Sequence, residues 1–280
     1  MAIIDKPSNY FNTKLTTGTG SSQSVTGLGF QPDWVWGKRR DSTGNNSLFD
    51  SVRGITKGLE SNNGGAEFTS TDYYSSFDSD GFTIAAGASG AGNGSGQTAV
   101  QWCWKAGGTV VSNTDGSITS SVSANQDAGF SIVSYTGTGS AATIGHGLGT
   151  TPAWVLVKER GASGEAWNNF HQSLGAGITI MLNLTNAQQS SSTMWNNTAP
   201  TSSVFSVGAD AGSNGSSKTY VAYCFAEKQG YSKFGSYTGN GNADGTFVYT
   251  GFSPAFVMVK RTNSANSWNI KDNRRNNAST

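Results

Sequence analysis

Three stretches of this chain share one pattern. They are "GLGFQPDWVWGKRR" (27–40), "GHGLGTTPAWVLVKER" (145–160) and "YTGFSPAFVMVKRT" (249–262). Aligning Pro32, Pro152 and Pro254 puts an aromatic two residues later each time (Trp34, Trp154, Phe256) and a lysine four after that (Lys38, Lys158, Lys260). Upstream, "TGTGS" occurs at Thr17–Ser21 and Thr136–Ser140, and "TGNGN" at Thr238–Asn242. Downstream, "TAVQWCWK" matches "TYVAYCFA", so Cys103 aligns with Cys224, and "GNGSGQT" matches "SNGSSKT" just ahead of them. "LFDSVRG", "NFHQSLG" and "IKDNRRN" occupy one place in successive copies. A period of roughly a hundred residues means tandem domains, because solenoid units run ~20–50 residues.

The repeat fixes the organisation. Residues 1–7 are an N-terminal arm, 8–107 the first repeat, 108–128 a Ser/Asn/Asp/Gly-rich linker, 129–229 the second repeat and 230–280 a partial third. The third repeat has no counterpart of Thr98–Lys105. Each unit reads as β. Runs such as "FSIVSYTG" and "PAFVMVK" are short, rich in Val, Tyr, Phe and Ile, and bounded by Gly, Asn and Asp, whereas Leu-, Glu- and Lys-rich helical windows are almost missing. The expected fold is all-β: tandem antiparallel β-sandwich repeats with a third, incomplete repeat.

Alternation sharpens this. In "WVWGK", Trp34 and Trp36 share one face and Val35 lies on the other; in "WVLVK", Val155 and Val157 take that second face. Apolar residues on both faces mark strands buried on both sides. The closing strand sets Val100, Trp102 and Trp104 on one face, echoed by Val221, Tyr223 and Phe225, with each cysteine opposite as a buried thiol. Strands this apolar in the partial third unit need cover. Phe247–Lys260 is therefore expected to be buried against unit one, unit two or an identical subunit, with a trimer as the fibre-like assembly.

The candidate sites weaken against the repeat. His146 aligns with Thr26 and Thr250, so it reads as a turn cap rather than a base. His171 aligns with Asp50, and two histidines without a Cys or Glu cluster predict no metal. "SFDSDGF" has the look of a calcium loop but no closing Glu, so it reads as a turn. "GASGAGNGSG" has no Gly-Lys-Ser/Thr and no helix after it, so it reads as a hairpin loop, not a phosphate cradle or nucleophile elbow. Asp50 with Arg53 and Asp272 with Arg275 can order their loops or contact a ligand. Trp195, with Asn196 and Asn197 in "SSTMWNNTAP", can stack on a sugar ring or pack under its own loop. Charged residues are only 12% and the net charge is +1, which argues against nucleic acid. No apolar run reaches the length of a spanning helix, and the N-terminus has no secretory pattern.

With these residues in view, "FDSVRG", "SFDSDGFTI", "HGLGTTPAWVLVK" and "YVAYCFAEKQGYSKFGSYTGNGNADGTFVYTGF" resemble a repeat family of uncharacterised virion proteins of tailed phages from aquatic bacteria, tail-fibre-like or adhesin-like. The resemblance implies a non-enzymatic virion protein on the particle surface, with other virion proteins as partners and no cofactor. A tail fibre or adhesin touching host glycan is the first expectation; a capsid decoration or head fibre with a purely structural role is the alternative. A glycan depolymerase would need two carboxylates across a cleft, and acidic residues here are sparse.

Overall fold

The computed structural model describes residues 3–161 and 164–275. The protein is all-β, built from antiparallel sheets. The first unit holds β1 (Phe11–Thr17), β2 (Gln23–Val25), β3 (Trp34–Arg39), β4 (Asn46–Asp50), β5 (Lys57–Glu60), β6 (Phe68–Thr69), β7 (Tyr74–Asp78), β8 (Gly81–Ile84) and β9 (Thr98–Trp104). They make a six-stranded sheet, β1-β9-β3-β4-β5-β6, and a three-stranded sheet, β2-β8-β7. Residues 108–128, read from composition as a linker, are instead ordered into β10 (Val111–Asn113) and β11 (Ser120–Asn125). These two strands extend the sheet of the second unit, because β11 pairs with its first strand, Ser121 opposite Ser134. Val111 is 56% exposed, but most residues of the two strands are Ser, Asn or Ala, so the segment mimics a linker in composition.

The second unit continues with β12 (Phe130–Thr136), β13 (Ala142–Gly145), β14 (Trp154–Glu159), β15 (Asn168–His171), β16 (Ile178–Met181), β17 (Gln189–Ser190), β18 (Val204–Val207), the short helix α1 (Ala211–Asn214) and β19 (Thr219–Phe225). Its large sheet runs β10-β11-β12-β19-β14-β15-β16-β17, faced by the pair β13-β18. The two units repeat in register as well as in order. The closing strand lies between the first and third strands of each. Trp34 stands opposite Trp104 and Val35 opposite Cys103, just as Trp154 stands opposite Phe225 and Val155 opposite Cys224.

The two-faced strands are explained by three cores. On one face Val35, Phe49 and Cys103 meet Val25, Tyr74, Phe82 and Ile84 inside unit one. In unit two Val155, Val157 and Cys224 meet Ile144, Phe205 and Val207 in the same way. The opposite faces do not look outward. Trp34, Trp36, Val100, Trp102 and Trp104 of unit one pack on Phe130, Ile132, Leu156, Tyr223 and Phe225 of unit two. Trp34 stacks on Tyr223 with ring centroids 4.3 Å apart and on Phe130 at 5.7 Å. Alternation thus sends one set of side chains into each sandwich and the other into a core shared between units. Each ring covered there contributes about 1.5–3 kcal/mol.

The third unit joins that shared core with one hairpin, β20 (Phe256–Val259) and β21 (Asn269–Asp272). Phe256, Met258, Trp268 and Ile270 pack against it, and Phe256 sits 5.6–5.8 Å from the rings of Phe11, Trp102 and Trp104. The expected burial of Phe247–Lys260 therefore holds for one face only. Val257 is 41% exposed, Tyr249 77% and Phe247 84%. The strands that would cover them, the counterparts of β8 and β9, are not among the described residues.

Candidate functional site

The repeated motifs are structural staples. Asn93 is fully buried: its amide donates to the carbonyls of Ser21 and Ala85, and its Oδ1 accepts from the Thr19 amide. Asn214 repeats the set, donating to Ser140 and Gly208 and accepting from Thr138. This is why "TGTGS" and "NGS" recur together. Glycine is required at Gly18 and Gly137 because a Cβ there would strike the carbonyls of Gly94 and Gly215. "GASGAGNGSG" is thus the partner of the "TGTGS" loop. In "SFDSDGF", Asp80 accepts from the amides of Gly27 (2.9 Å) and Gly29 (2.6 Å), which lower its pKa. That carboxylate closes a turn. Sequence reading aligned the two asparagines without assigning them a role; their only signal was recurrence at one place in both copies.

His146 is fully buried and caps its turn. Nδ1 accepts from the Leu148 amide at 3.2 Å, so the proton sits on Nε2, which donates to the Thr201 carbonyl at 3.2 Å. Burial lowers its pKa, favouring this neutral form. His171 is likewise lowered by burial, and its Nδ1 accepts from the Ser173 amide. The cysteines are buried free thiols; burial raises both, Cys224 to about 12. Among the described residues no group of three or more His, Cys, Asp or Glu is placed to hold a metal ion.

Trp195 corrects the sequence reading. It is 1% exposed and lies edge-on to Phe170 in the core of unit two, so its ring offers no face to a sugar. The polar sequence around it covers the ring. Asn196 and Asn197 beside it are exposed, both in the left-handed region with φ of 51° and 47°.

Four charged residues, Asp50, Arg53, Glu67 and Arg160, meet at the junction of units one and two. Asp50 and Arg53 form a fully buried pair at 2.6 Å. Arg53 also holds the Leu48 carbonyl (3.1 Å) and Glu67 (3.0 Å), and Glu67 is gripped by both Nε and Nη2 of Arg160, from unit two, at 2.8 and 2.9 Å. Tyr223, also of unit two, donates to Asp50 at 2.8 Å. Burial alone would raise the Glu67 carboxyl, but the guanidiniums of Arg160 and Arg53 outweigh it and hold Glu67 below the usual carboxylate range. Of the two sequence readings, loop-ordering describes Asp50–Arg53, and the same network clamps two units.

Unit three rebuilds half of this network. Arg275 pairs with Asp272 and donates to the Ile270 carbonyl at 2.8 Å, the counterparts of Asp50 and Leu48. Trp102 takes the place of Tyr223: its indole donates to Asp272 at 3.0 Å and its ring lies 4.8 Å below the Arg275 guanidinium. Beside it opens a cleft of about 350 Å³ lined by Lys38, Arg39, Arg40, Lys271, Asp272 and Arg275, in which Arg39 is already paired with Asp41 at 3.1 Å. Arg40 is the unit-one counterpart of Arg160. Among the described residues no carboxylate pairs with Arg40, and Asp272 is the one carboxylate paired with Arg275. Chemically such a cluster of cationic side chains suits an anion.

A family model described as a domain of unknown function, DUF7483, matches residues 6–280. No curated protein and no solved structure matches the chain.

Proposed function

We propose that this chain, which belongs to the DUF7483 family across all three units, is a non-enzymatic structural protein of a tailed-phage virion, forming the body of a tail fibre or surface adhesin. The observation that carries the reading is the shared core: successive units are locked face to face by aromatic rings and clamped by a buried ion network. A surface protein that must survive outside cells needs such joints, in contrast to the small, mobile contacts of most linked domains. The sequence resemblance to tail-fibre-like and adhesin-like virion proteins points the same way. Attachment to a host glycan would fall to exposed polar loops such as Asn196–Asn197, with Trp195 supporting them from below.

Antibodies against the chain, applied to purified particles with gold labelling, test this. Label along fibres or tail tips is the expected result. Label over the capsid would instead favour the decoration reading, and intact particles without label would overturn both. A glycan array then separates an adhesin, with reproducible hits, from a structural segment.

A further inference from the structure

The three junctions between units differ in charge at matching positions. Where units one and two meet, Arg53 and Arg160 share the carboxylate of Glu67. Where units two and three meet, Leu174, Thr262 and Gln188 stand in the places of Arg53, Arg160 and Glu67, and the Gln188 amide donates to the Thr262 carbonyl at 2.8 Å. Acid and arginines are thus kept or replaced together. Where units three and one meet, the matching arginines are Arg275 and Arg40, and both line the cleft of about 350 Å³. That cleft is more cationic than a joint between units needs. Lys38, Arg39, Arg40, Lys271 and Arg275 stand against two carboxylates, Asp41 on Arg39 and Asp272 on Arg275, a net +3. The matching positions of the first junction carry Lys158, Arg160 and Arg53 against Glu159 and Asp50, a net +1 that Glu67 brings to zero. One carboxylate held as Glu67 is would still leave the cleft at a net +2. The whole chain carries only +1, so positive charge is concentrated here.

We infer that this cleft binds an acidic polysaccharide through several of its carboxylate or sulfate groups, a choice of ligand that rests on the surface-adhesin function proposed above. Three of the five cations are already held in place. Arg275 is fixed by Asp272, by the Ile270 carbonyl at 2.8 Å and by the Trp102 ring beneath it. Lys38 donates to the carbonyls of Ser42 and Gly44, and Arg39 is paired with Asp41. Cations fixed in advance lose less freedom when an anion binds. Arg40 and Lys271 are exposed in the same cleft. Arg160 shows what a guanidinium at the position of Arg40 does with an oxyanion, gripping it through both Nε and Nη2. Ser42 and Ile270 also line the cleft and suit a sugar, the hydroxyl meeting its polar edge and the aliphatic side chain its apolar face. A single-stranded nucleic acid would call for rings on which its bases stack. No aromatic is among the residues lining the cleft, and the near face of Trp102 is covered by Arg275.

The test titrates the full chain into fluorescently labelled polygalacturonate, which carries only carboxylates, and dextran sulfate, which carries only sulfates. Neutral dextran and single-stranded DNA of matched charge serve as references. At least one acidic polysaccharide should bind about tenfold or more tightly than either reference, and the one that binds identifies the group recognised. Arg40→Ala and Lys271→Ala should each weaken binding about fivefold or more, whereas Arg261→Ala, which removes the same charge at the junction of units two and three, should stay within about twofold. Binding of neither polysaccharide, equal binding of dextran or DNA, unchanged binding by Arg40→Ala, or an equal loss in Arg261→Ala overturns the proposal. Without polysaccharide, Arg40→Ala should shift Tm by less than about 2 °C. A larger fall would mean that the chain itself supplies the partner of Arg40, which also overturns it. Binding by the purified chain does not depend on its place in a particle. Gold label over the capsid with polysaccharide binding intact would therefore refute the adhesin reading and leave the site standing, whereas label on fibres without polysaccharide binding would refute the site alone.

Discussion

Val35, Val155 and Val257 occupy one position of one repeated strand, yet the first two are fully buried and the third is 41% exposed. The local sequences "WVWGK", "WVLVK" and "FVMVK" are equally strand-like. What differs is cover contributed from far along the chain: β2, β8 and β9 in unit one, β13, β18 and β19 in unit two. Tyr135 and Tyr237 make the same point. The first is buried and stacked on Tyr220 of the closing strand at 5.1 Å, while the second, in a "SYTG" of its own, is 53% exposed. A strand's own pattern states what it can bury, and its partners decide whether it does.

The largest way to break this contrast is through the shared core. Trp34→Ala should cost about 3–5 kcal/mol in urea unfolding, because it empties a site closed by Tyr223, Phe130 and Trp104. Phe256→Ala, at a half-buried site, should cost under about 2 kcal/mol. Equal costs would mean that unit three is as well covered as unit one.

Next comes the ion network. Glu67→Gln leaves Arg53 and Arg160 facing each other without their carboxylate and should cost about 3 kcal/mol; Gln188→Ala, the same place one junction on, should be nearly neutral. The pH dependence has a definite sign. A carboxyl with a depressed folded pKa stabilises fully above its unfolded value and loses that contribution as pH falls through the folded one. Unfolding curves of the native chain should therefore lose stability from about pH 4 downward, and Glu67→Gln should flatten that slope.

Smaller effects separate the loops. Asn93→Ala strands the Thr19 amide and two carbonyls, at a cost of about 2 kcal/mol. Asn240→Ala, in the exposed "TGNGN" copy, should stay within about 0.5 kcal/mol. His146→Thr should be smaller than the Asn93 change, within about 1 kcal/mol, since only the hydrogen bonds of one turn are exchanged. A histidine with a lowered folded pKa stabilises fully above its unfolded value near 6.5 and loses this as pH falls. The variant should lack that mild acid slope, visible as a change in Tm between about pH 7 and 5.

Much of the fold was legible because repetition acts as its own control. The aligned prolines, the closing strands and the two-faced pattern of Trp34–Val35–Trp36 all led to equivalent strands in equivalent register. Repetition also identified His146 as a cap. What it did not reveal follows from physics that composition hides. Short strands made mostly of Ser, Asn and Ala look like a linker, so β10 and β11 were missed. A tryptophan in polar company, Trp195, looks exposed because the chain that covers it is itself polar. The second face of each strand was known to need burial, but a sequence does not say whether a neighbour in the same sandwich or in the next unit provides it. The Arg40–Arg275 cleft joins residues from opposite ends of the chain, and no spacing could bring them together.

Native-state hydrogen exchange of the three equivalent strands in the unaltered chain tests the central claim most directly. If one repeated strand is buried on both faces and edges in two units and left open in the third, the amides of β3 and β14 should exchange only with global unfolding. The β20 amides facing away from β21 should then exchange faster by on the order of a hundredfold or more. Protection of β20 equal to that of β3 and β14 would contradict the account.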